Sequence, residues 1–356
     1  MRKWVLLLAA ATLATALAGC GRGKPQDAQE SGRAGKAALP PRTVHVFCYH
    51  GVEPDTSNSF FNRTEDFKVQ MQVLADEGFQ SISCKQLADY LVGAEDIPDK
   101  SVLLTFDDGN ECVYGTVCPI LESHGFKATL FLITSSVDAK NHMSWQQVQE
   151  LHTKGYEIGS HTVTHANLVK RGSGQSAEEH KATVLEELTA SKQAIERVLG
   201  DGTVTALAYP YGTYDGVVMA AAREAGYRLA FSIDRGAADQ ESNPWRLPRQ
   251  MVVRDNSLKT FKRWLAQEPL HLAGISPPVG EVVAQTNVEI HARLMDNDVS
   301  PSGLSVEAGK GTDMSVVEGT NEIVISTTLR KGANNVRLQH QGTPSRETSW
   351  VVVCRP

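Results

Sequence analysis

Asp107 and Asp108 stand side by side in Thr105-Phe106-Asp107-Asp108-Gly109, directly after the apolar run Val102-Leu103-Leu104; further on, His161 and His165 are separated by three residues. A carboxylate and two neutral imidazoles can hold a divalent metal and leave open positions on it for water and a substrate oxygen. The second carboxylate is then free to act as general base, and water driven onto an acyl carbonyl is hydrolysis. Carboxylate pairs also occur in solvated turns, and an H-x-x-x-H arises readily by chance in a chain with 11 histidines. The elements that carry these residues must therefore decide.

From residue 43 to about 268, short apolar runs alternate with amphipathic stretches, which is the pattern of strand-helix repetition. Val44 to Tyr49, Gln80 to Ser83, Val102 to Phe106, Ala128 to Ile133, Tyr156 to Ser160, Ala206 to Tyr209 and Leu229 to Ile233 read as strands. Helices are expected around Phe67, Met71 and Leu74, around Val117 to Leu121, after the capping Ser144, from Glu178 to Leu199, and from Val217 to Ala225. About seven such units favour a barrel over an open sheet. Asp107 and Asp108 follow one strand, His161 another and Pro210-Tyr211-Gly212 a third, all at C-terminal strand ends, where α/β folds build their active sites.

The three segments Thr105-Phe106-Asp107-Asp108-Gly109, His161-Thr162-x-x-His165 and Tyr209-Pro210-Tyr211-Gly212 resemble the motifs of the polysaccharide deacetylases with a NodB-type domain, carbohydrate esterase family 4. The resemblance covers about residues 43 to 268 and implies an α/β fold, a distorted (β/α)7 barrel, with metal-dependent removal of N-acetyl groups from amino sugars. It assigns Asp107 as catalytic base and Asp108, His161 and His165 as metal ligands, and it gives the backbone N–H of Tyr211 to the oxyanion. Zinc suits the mixed nitrogen and oxygen donors; cobalt, nickel or iron fit the same set.

Two departures bear on the site. Many members of the family have an arginine two residues before the motif proline, where this chain has Ala208; Arg246 and Arg249, in Trp245-Arg246-Leu247-Pro248-Arg249, are the candidates to supply a base-orienting guanidinium. Many also carry a catalytic acid in a late Leu-x-His motif, and Leu270-His271 lies beyond the barrel and is discounted. Tyr49-His50-Gly51-Val52 instead resembles the branch that deacetylates poly-β-1,6-N-acetylglucosamine, with permuted motif order, and this implies His50 as the acid. Trp145, Tyr209, Tyr211 and Tyr214 are candidate sugar platforms. His45, His124, His142, His152 and His180 are expected at the surface.

The N-terminus places the protein. Arg2 and Lys3 precede an apolar stretch from Trp4 to Ala18, the form of a signal peptide over residues 1–19. Leu17-Ala18-Gly19-Cys20 resembles the bacterial lipobox, which implies a lipidated Cys20 as first mature residue and a lipid anchor in a membrane. Gly21 resembles lipoproteins sorted to the outer membrane, on its periplasmic face, in an organism that has one. Residues 20–42, rich in Gly, Ala, Ser, Gln and charge and ending near Pro40-Pro41, read as a flexible tether. Loss of Arg2 and Lys3 with the leader moves the formal charge from −6 to −8 without leaving a basic cluster, which argues against nucleic acid as a partner. Five cysteines follow Cys20, an odd number, so at least one is free; Cys112 and Cys118 read as small apolar thiols rather than ligands.

From about 275 to 356 helical periodicity gives way to short alternating runs, among them Val288 to Ala292, Leu304 to Glu307, Glu322 to Ile325, Asn335 to Leu338 and Trp350 to Val353, separated by Gly, Asn, Asp and Pro. They predict a small all-β sandwich, similar to bacterial Ig-like modules, acting as a spacer or as a grip on polysaccharide or an envelope protein. The expected function is a cell-envelope hydrolase acting on an extracellular aminosugar polysaccharide, with biofilm poly-N-acetylglucosamine exopolysaccharide favoured. Peptidoglycan deacetylation is the enzymatic alternative. A non-catalytic carbohydrate-binding or scaffold lipoprotein is the alternative of another class, and the retained Asp107 speaks against it.

Overall fold

The computed structural model describes residues Leu39–Pro356, which form one compact unit. The leader, Cys20 and nearly all of the tether lie outside the described residues. None of the described helices is long and apolar enough to cross a membrane.

Val44–Tyr49 and Ser101–Phe106 are buried along their whole length, as strands of a parallel sheet covered on both faces must be. They pair in parallel, and the sheet continues through Thr129–Leu132, Glu157–Ser160, Ala206–Ala208 and Leu229–Phe231, with Gln80–Ser81 added beside Ser101–Phe106. The sheet curls until its two ends meet the same segment: Leu247 bridges to Phe231 in parallel, and Gln250 and Met251 pair in parallel with Phe47 and Cys48. Six strands thus follow one another around the curl in order, Gln250–Met251 makes the seventh of the path beside the first, and residues 247–251 draw first and last together.

Helices cover the outside. Trp145–Thr153 starts at Ser144, whose hydroxyl accepts from the Gln147 N–H while Gln147 reaches back, and Ala177–Leu199 starts at Ser176 with Glu179 in the same way. Thr64–Asp76 buries Phe67, Met71 and Leu74, and Gly216–Glu224 packs against the long helix. The stretch expected as one helix around Val117 is a π-helical turn, Val113–Val117, followed by the short α-helix Cys118–Ser123.

The C-terminal part is two sheets. One holds Gln267–Pro269, Ser345–Cys354, Gly332–His340 and Leu304–Glu307, with Val282–Val283 also on Ser345–Cys354; the other holds Leu272–Ser276, Asn287–Leu294, Glu322–Thr328 and Lys310–Val316. Asn287–Leu294 and Glu322–Thr328 alternate buried and exposed, and Ile290, Leu294, Ile323, Ile325, Val336, Leu338 and Trp350 share one core. Gln267 and Glu268, placed by sequence at the end of the barrel, pair with Ser345 and Arg346 of this second part. All five described cysteines are free, Cys112 and Cys118 included.

Candidate metal centre and its base

Asp107 leaves the Ser101–Phe106 strand with its N–H still bonded to the Tyr49 carbonyl at 2.9 Å, so the last rung of the sheet sets its position. Asp108 then takes φ 74°, a left-handed conformation costly for a non-glycine residue, and turns its carboxylate back over the strand ends. His161 follows Glu157–Ser160 directly, with its N–H on the Leu132 carbonyl at 2.8 Å. The loop from His161 to His165 is pinned by Glu187 of the long helix, which accepts from the Val163 and Thr164 N–H groups and from the Thr164 hydroxyl. Thr162 and His165 also have positive φ, 68° and 57°, and the Thr162 hydroxyl accepts from the His165 N–H at 3.0 Å. The four-residue spacing therefore works through a strained loop, not along a helix face.

This brings Asp108, His161 and His165 together. His161 Nε2 lies 3.7 Å and His165 Nε2 3.8 Å from Asp108 Oδ1, separations that one ion about 2 Å from each donor can span. Asp108 Oδ1 is buried and has no hydrogen-bond partner, a state that a cation would relieve. His161 donates from Nδ1 to the Ala208 carbonyl at 2.7 Å, which fixes the tautomer and leaves Nε2 as the free lone pair. Burial pushes the His161 pKa down, against the pull of Asp107 and Asp108, and favours the neutral ring that a metal requires. Chemistry and geometry of the donor set both fit a divalent ion.

Asp107 is held differently. Arg249, 1% exposed, grips it with two parallel bonds, Nη1 to Oδ1 at 2.7 Å and Nη2 to Oδ2 at 2.8 Å. Arg249 also donates from Nη1 to Thr105 Oγ1 at 3.2 Å and from Nε to the Ser232 carbonyl at 2.8 Å. Arg246, the other candidate, makes no such contact; it lines a separate cavity with Asp234 and His271. Burial alone would raise the Asp107 carboxyl, but Arg249, with His161 and His50, outweighs it and holds the group well below the usual carboxylate range. Asp107 Oδ2 is 3.9 Å from His161 Nε2, so Asp107 lies against the cluster of Asp108, His161 and His165 without being needed in it.

The Cys48 thiol, fully buried and pushed up by that burial, donates to Asp107 Oδ2 at 3.4 Å. Cys48, an imidazole nitrogen of His50 and Asp107 all lie within 4.8 Å of one another. A second cation has no place there, because the guanidinium already spans both oxygens of Asp107 and the thiol stays protonated. The sequence motifs gave Cys48 no role at the site; its spacing of two from His50 along an extended segment was the available signal.

His50 faces the same pocket, with its carbonyl tied to Asn110 at 3.0 Å and its buried Nδ1 without a partner. Tyr211, 56% exposed, sits in the tight turn Pro210–Gly212 at φ 59°, its ring centred 4.6 Å from that of His165. A cavity of about 380 Å³ gathers His50, Asp107, Asp108, His161, His165 and Tyr211 with an apolar wall of Phe60, Phe61, Ile233 and Met251. Phe60, 48% exposed with its ring 5.5 Å from His50, was not expected from sequence, since its loop has no periodicity. Among the proposed platforms only Tyr211 is open to solvent in this cavity. Tyr209 and Tyr214 are fully buried with their hydroxyls donating to the Trp245 carbonyl and to Asp234, and Trp145 packs against the core elsewhere. His45 and His180, expected at the surface, are also buried, and burial lowers His45 to about 4.

Residues 94–230 match the family model described as polysaccharide deacetylase. YxkH of Bacillus subtilis is 29% identical over 225 residues, 63% of this chain and 77% of that protein. A poly-beta-1,6-N-acetyl-D-glucosamine N-deacetylase of Staphylococcus aureus is 27% identical over 204 residues, 56% of this chain and 70% of its own length. Two solved structures share the fold. The deacetylase PplD of Streptococcus pyogenes superposes with a TM-score of 0.57 at 24% identity, covering 64% of this chain and 99% of that one. IcaB from Ammonifex degensii gives 0.56 at 24% identity, covering 65% and 98%.

Proposed function

We propose that this chain, whose residues 94–230 carry a polysaccharide deacetylase domain, hydrolyses N-acetyl groups of an extracellular aminosugar polymer, with poly-β-1,6-N-acetylglucosamine as favoured substrate. One observation carries the reading: a base held apart from the metal ligands. Asp107 is gripped by Arg249 while Asp108, His161 and His165 converge beside it, a division that a mere sugar-binding platform does not need.

Asp108, His161 and His165 would hold the ion, with zinc the best match to two imidazoles and a carboxylate. Such an ion supplies an electrophile that lowers the pKa of water and polarises a carbonyl. Asp107, kept ionised by Arg249, takes the proton of the attacking water. His50, with a ring nitrogen within 4.8 Å of Asp107, would give a proton to the departing amine, and the Tyr211 N–H would donate to the carbonyl oxygen as it gains charge. The amide C–N bond breaks, a C–O bond forms, and acetate and a free amine leave. Phe60, Phe61, Ile233 and Met251 give the acetyl methyl and the sugar faces an apolar wall.

The location is part of the proposal. A lipid on Cys20 would anchor the chain at the envelope, on the periplasmic face of an outer membrane where one exists, with the tether carrying the barrel to its polymer. The curled sheet is read as the distorted (β/α)7 barrel and the C-terminal sheets as an immunoglobulin-like module.

The test compares acetate release from poly-N-acetylglucosamine, chitin oligomers and peptidoglycan by metal-reconstituted protein, with Asp107→Asn as control. Release from the first polymer above the others supports the reading. Preference for peptidoglycan moves the substrate, and no acetate from any of them with metal bound one to one returns the protein to the binding class.

A further inference from the structure

Ser345–Cys354 is the last strand of the C-terminal module, yet it serves two cores. Its alternation puts Trp350, Val352 and Cys354 into the core between the two C-terminal sheets and Val351 and Val353 into the core of the barrel. The same strand reaches the catalytic end of the barrel through polar bonds. The Val351 N–H donates to the Tyr214 hydroxyl at 3.3 Å, and that hydroxyl donates to Asp234 Oδ2 at 2.6 Å. Ser349 Oγ accepts from the Arg235 N–H at 2.6 Å, and Gly236 forms an antiparallel bridge with Thr348. The approach is close: a Cβ on Gly236 would lie 2.7 Å from the Glu347 carbonyl oxygen, at a φ of +131°.

Two carbonyls in this same segment, those of Ser232 and Asp234, hold Arg249. Its backbone N–H donates to the Asp234 carbonyl at 2.9 Å and its Nε to the Ser232 carbonyl at 2.8 Å, while its two terminal nitrogens grip Asp107. One unbroken set of contacts therefore runs from the C-terminal strand through Tyr214, Asp234 and Arg235 to Arg249 and the carboxylate.

We propose that the C-terminal strand is a positioning element of the active site: through Tyr214 and residues 234–236 it sets the carbonyls that aim Arg249, and through Arg249 it sets Asp107. The module is then a fixed brace rather than a spacer. Its contribution to rate rests on the reading of Asp107 as the base, whereas its contribution to the placement of Arg249 does not. A base displaced by even a fraction of an ångström loses rate without loss of substrate affinity.

The full-length protein is tested with Tyr214→Phe, which keeps the ring and removes the hydroxyl, and with Ser349→Ala; Ser349→Thr keeps an oxygen and serves as rescue. Ile290→Val, deep in the far core between the C-terminal sheets, is the stability control. The Arg249 Nε–H resonance, followed in protein labelled with nitrogen-15 arginine and assigned by its loss in Arg249→Lys, should exchange faster with solvent in both variants. Their kcat should fall about 10-fold with KM within about twofold of the parent, Ser349→Thr should recover most of the loss, and Ile290→Val should keep both constants and the slow resonance. Unaltered Arg249 exchange in both variants overturns the proposal, as does an equal loss of kcat in Ile290→Val. Absence of acetate release from the parent protein would overturn the deacetylase reading instead, and the exchange measurement still decides the brace.

Discussion

Asp107 and Asp108 are neighbours in sequence with opposite environments: one lies under a buried guanidinium, the other carries an unpartnered oxygen aimed at two imidazoles. Asp107→Asn should therefore keep metal stoichiometry, read by elemental analysis, while acetate release falls by about 10²–10⁴-fold. Arg249→Met leaves a buried carboxylate without its counter-charge and should cost roughly 3–5 kcal/mol in urea unfolding. Arg249→Lys keeps the charge but not the two-pronged grip, so it should unfold later than Arg249→Met and still turn over slowly. The residue types at the centre were readable from three short motifs. The choice between Arg246 and Arg249 was not, because both sit in one irregular segment and only pairing of residues 247–251 with the first and last strands turns Arg249 inward.

At the scale of elements, the site depends on turns that strands end in. Asp108, Thr162, His165 and Tyr211 all have positive φ, and each lies at the C-terminal end of a parallel strand or in the loop it feeds. Gly212 shows how tightly one such turn is packed: at φ +64°, a Cβ there would lie 2.2 Å from Ile233 Cγ1 and 2.7 Å from the Ile233 N. Gly212→Ala should lower stability by about 1–3 kcal/mol and reduce kcat, because relief of the clash displaces the Tyr211 turn; thermal melts and initial rates check both. The main strands and longer helices were legible from their periods of two and 3.6. The parallel pair Gly51–Glu53 and Phe61–Arg63, which presents Phe60 at the pocket, is too short and irregular to leave such a signature.

For the whole molecule, the barrel and the C-terminal sheets are joined by specific bonds as well as apolar packing. His271 bonds to Asp239 through Nε2 at 2.7 Å and to Asp296 through Nδ1 at 2.9 Å, a link between the loop after the last strand of the curled sheet and the C-terminal sheets. The bond to Asp239, against partial burial and with help from Asp296, raises its pKa from 6.5 to about 9. A folded pKa above the unfolded one means the link contributes fully below about pH 6.5 and fades as pH rises through about 9. His271→Gln should thus lower the melting temperature most at about pH 6 and hardly at all at about pH 10, in scans across that range.

Sequence alone determined the residue types of the centre and the alternation of strand and helix that puts them at one end of a sheet, since both are written in short runs. It also marked the change to an all-β tail. Tertiary structure decided which guanidinium holds Asp107, that the carbonyl of Ala208 selects the tautomer of His161, and which aromatic residues meet solvent. Those choices depend on pairs such as Arg249 and Asp107, 142 residues apart, and on which face of a strand meets which core. Local periodicity cannot encode a contact whose partner lies in another turn of the barrel; closure of the sheet creates it.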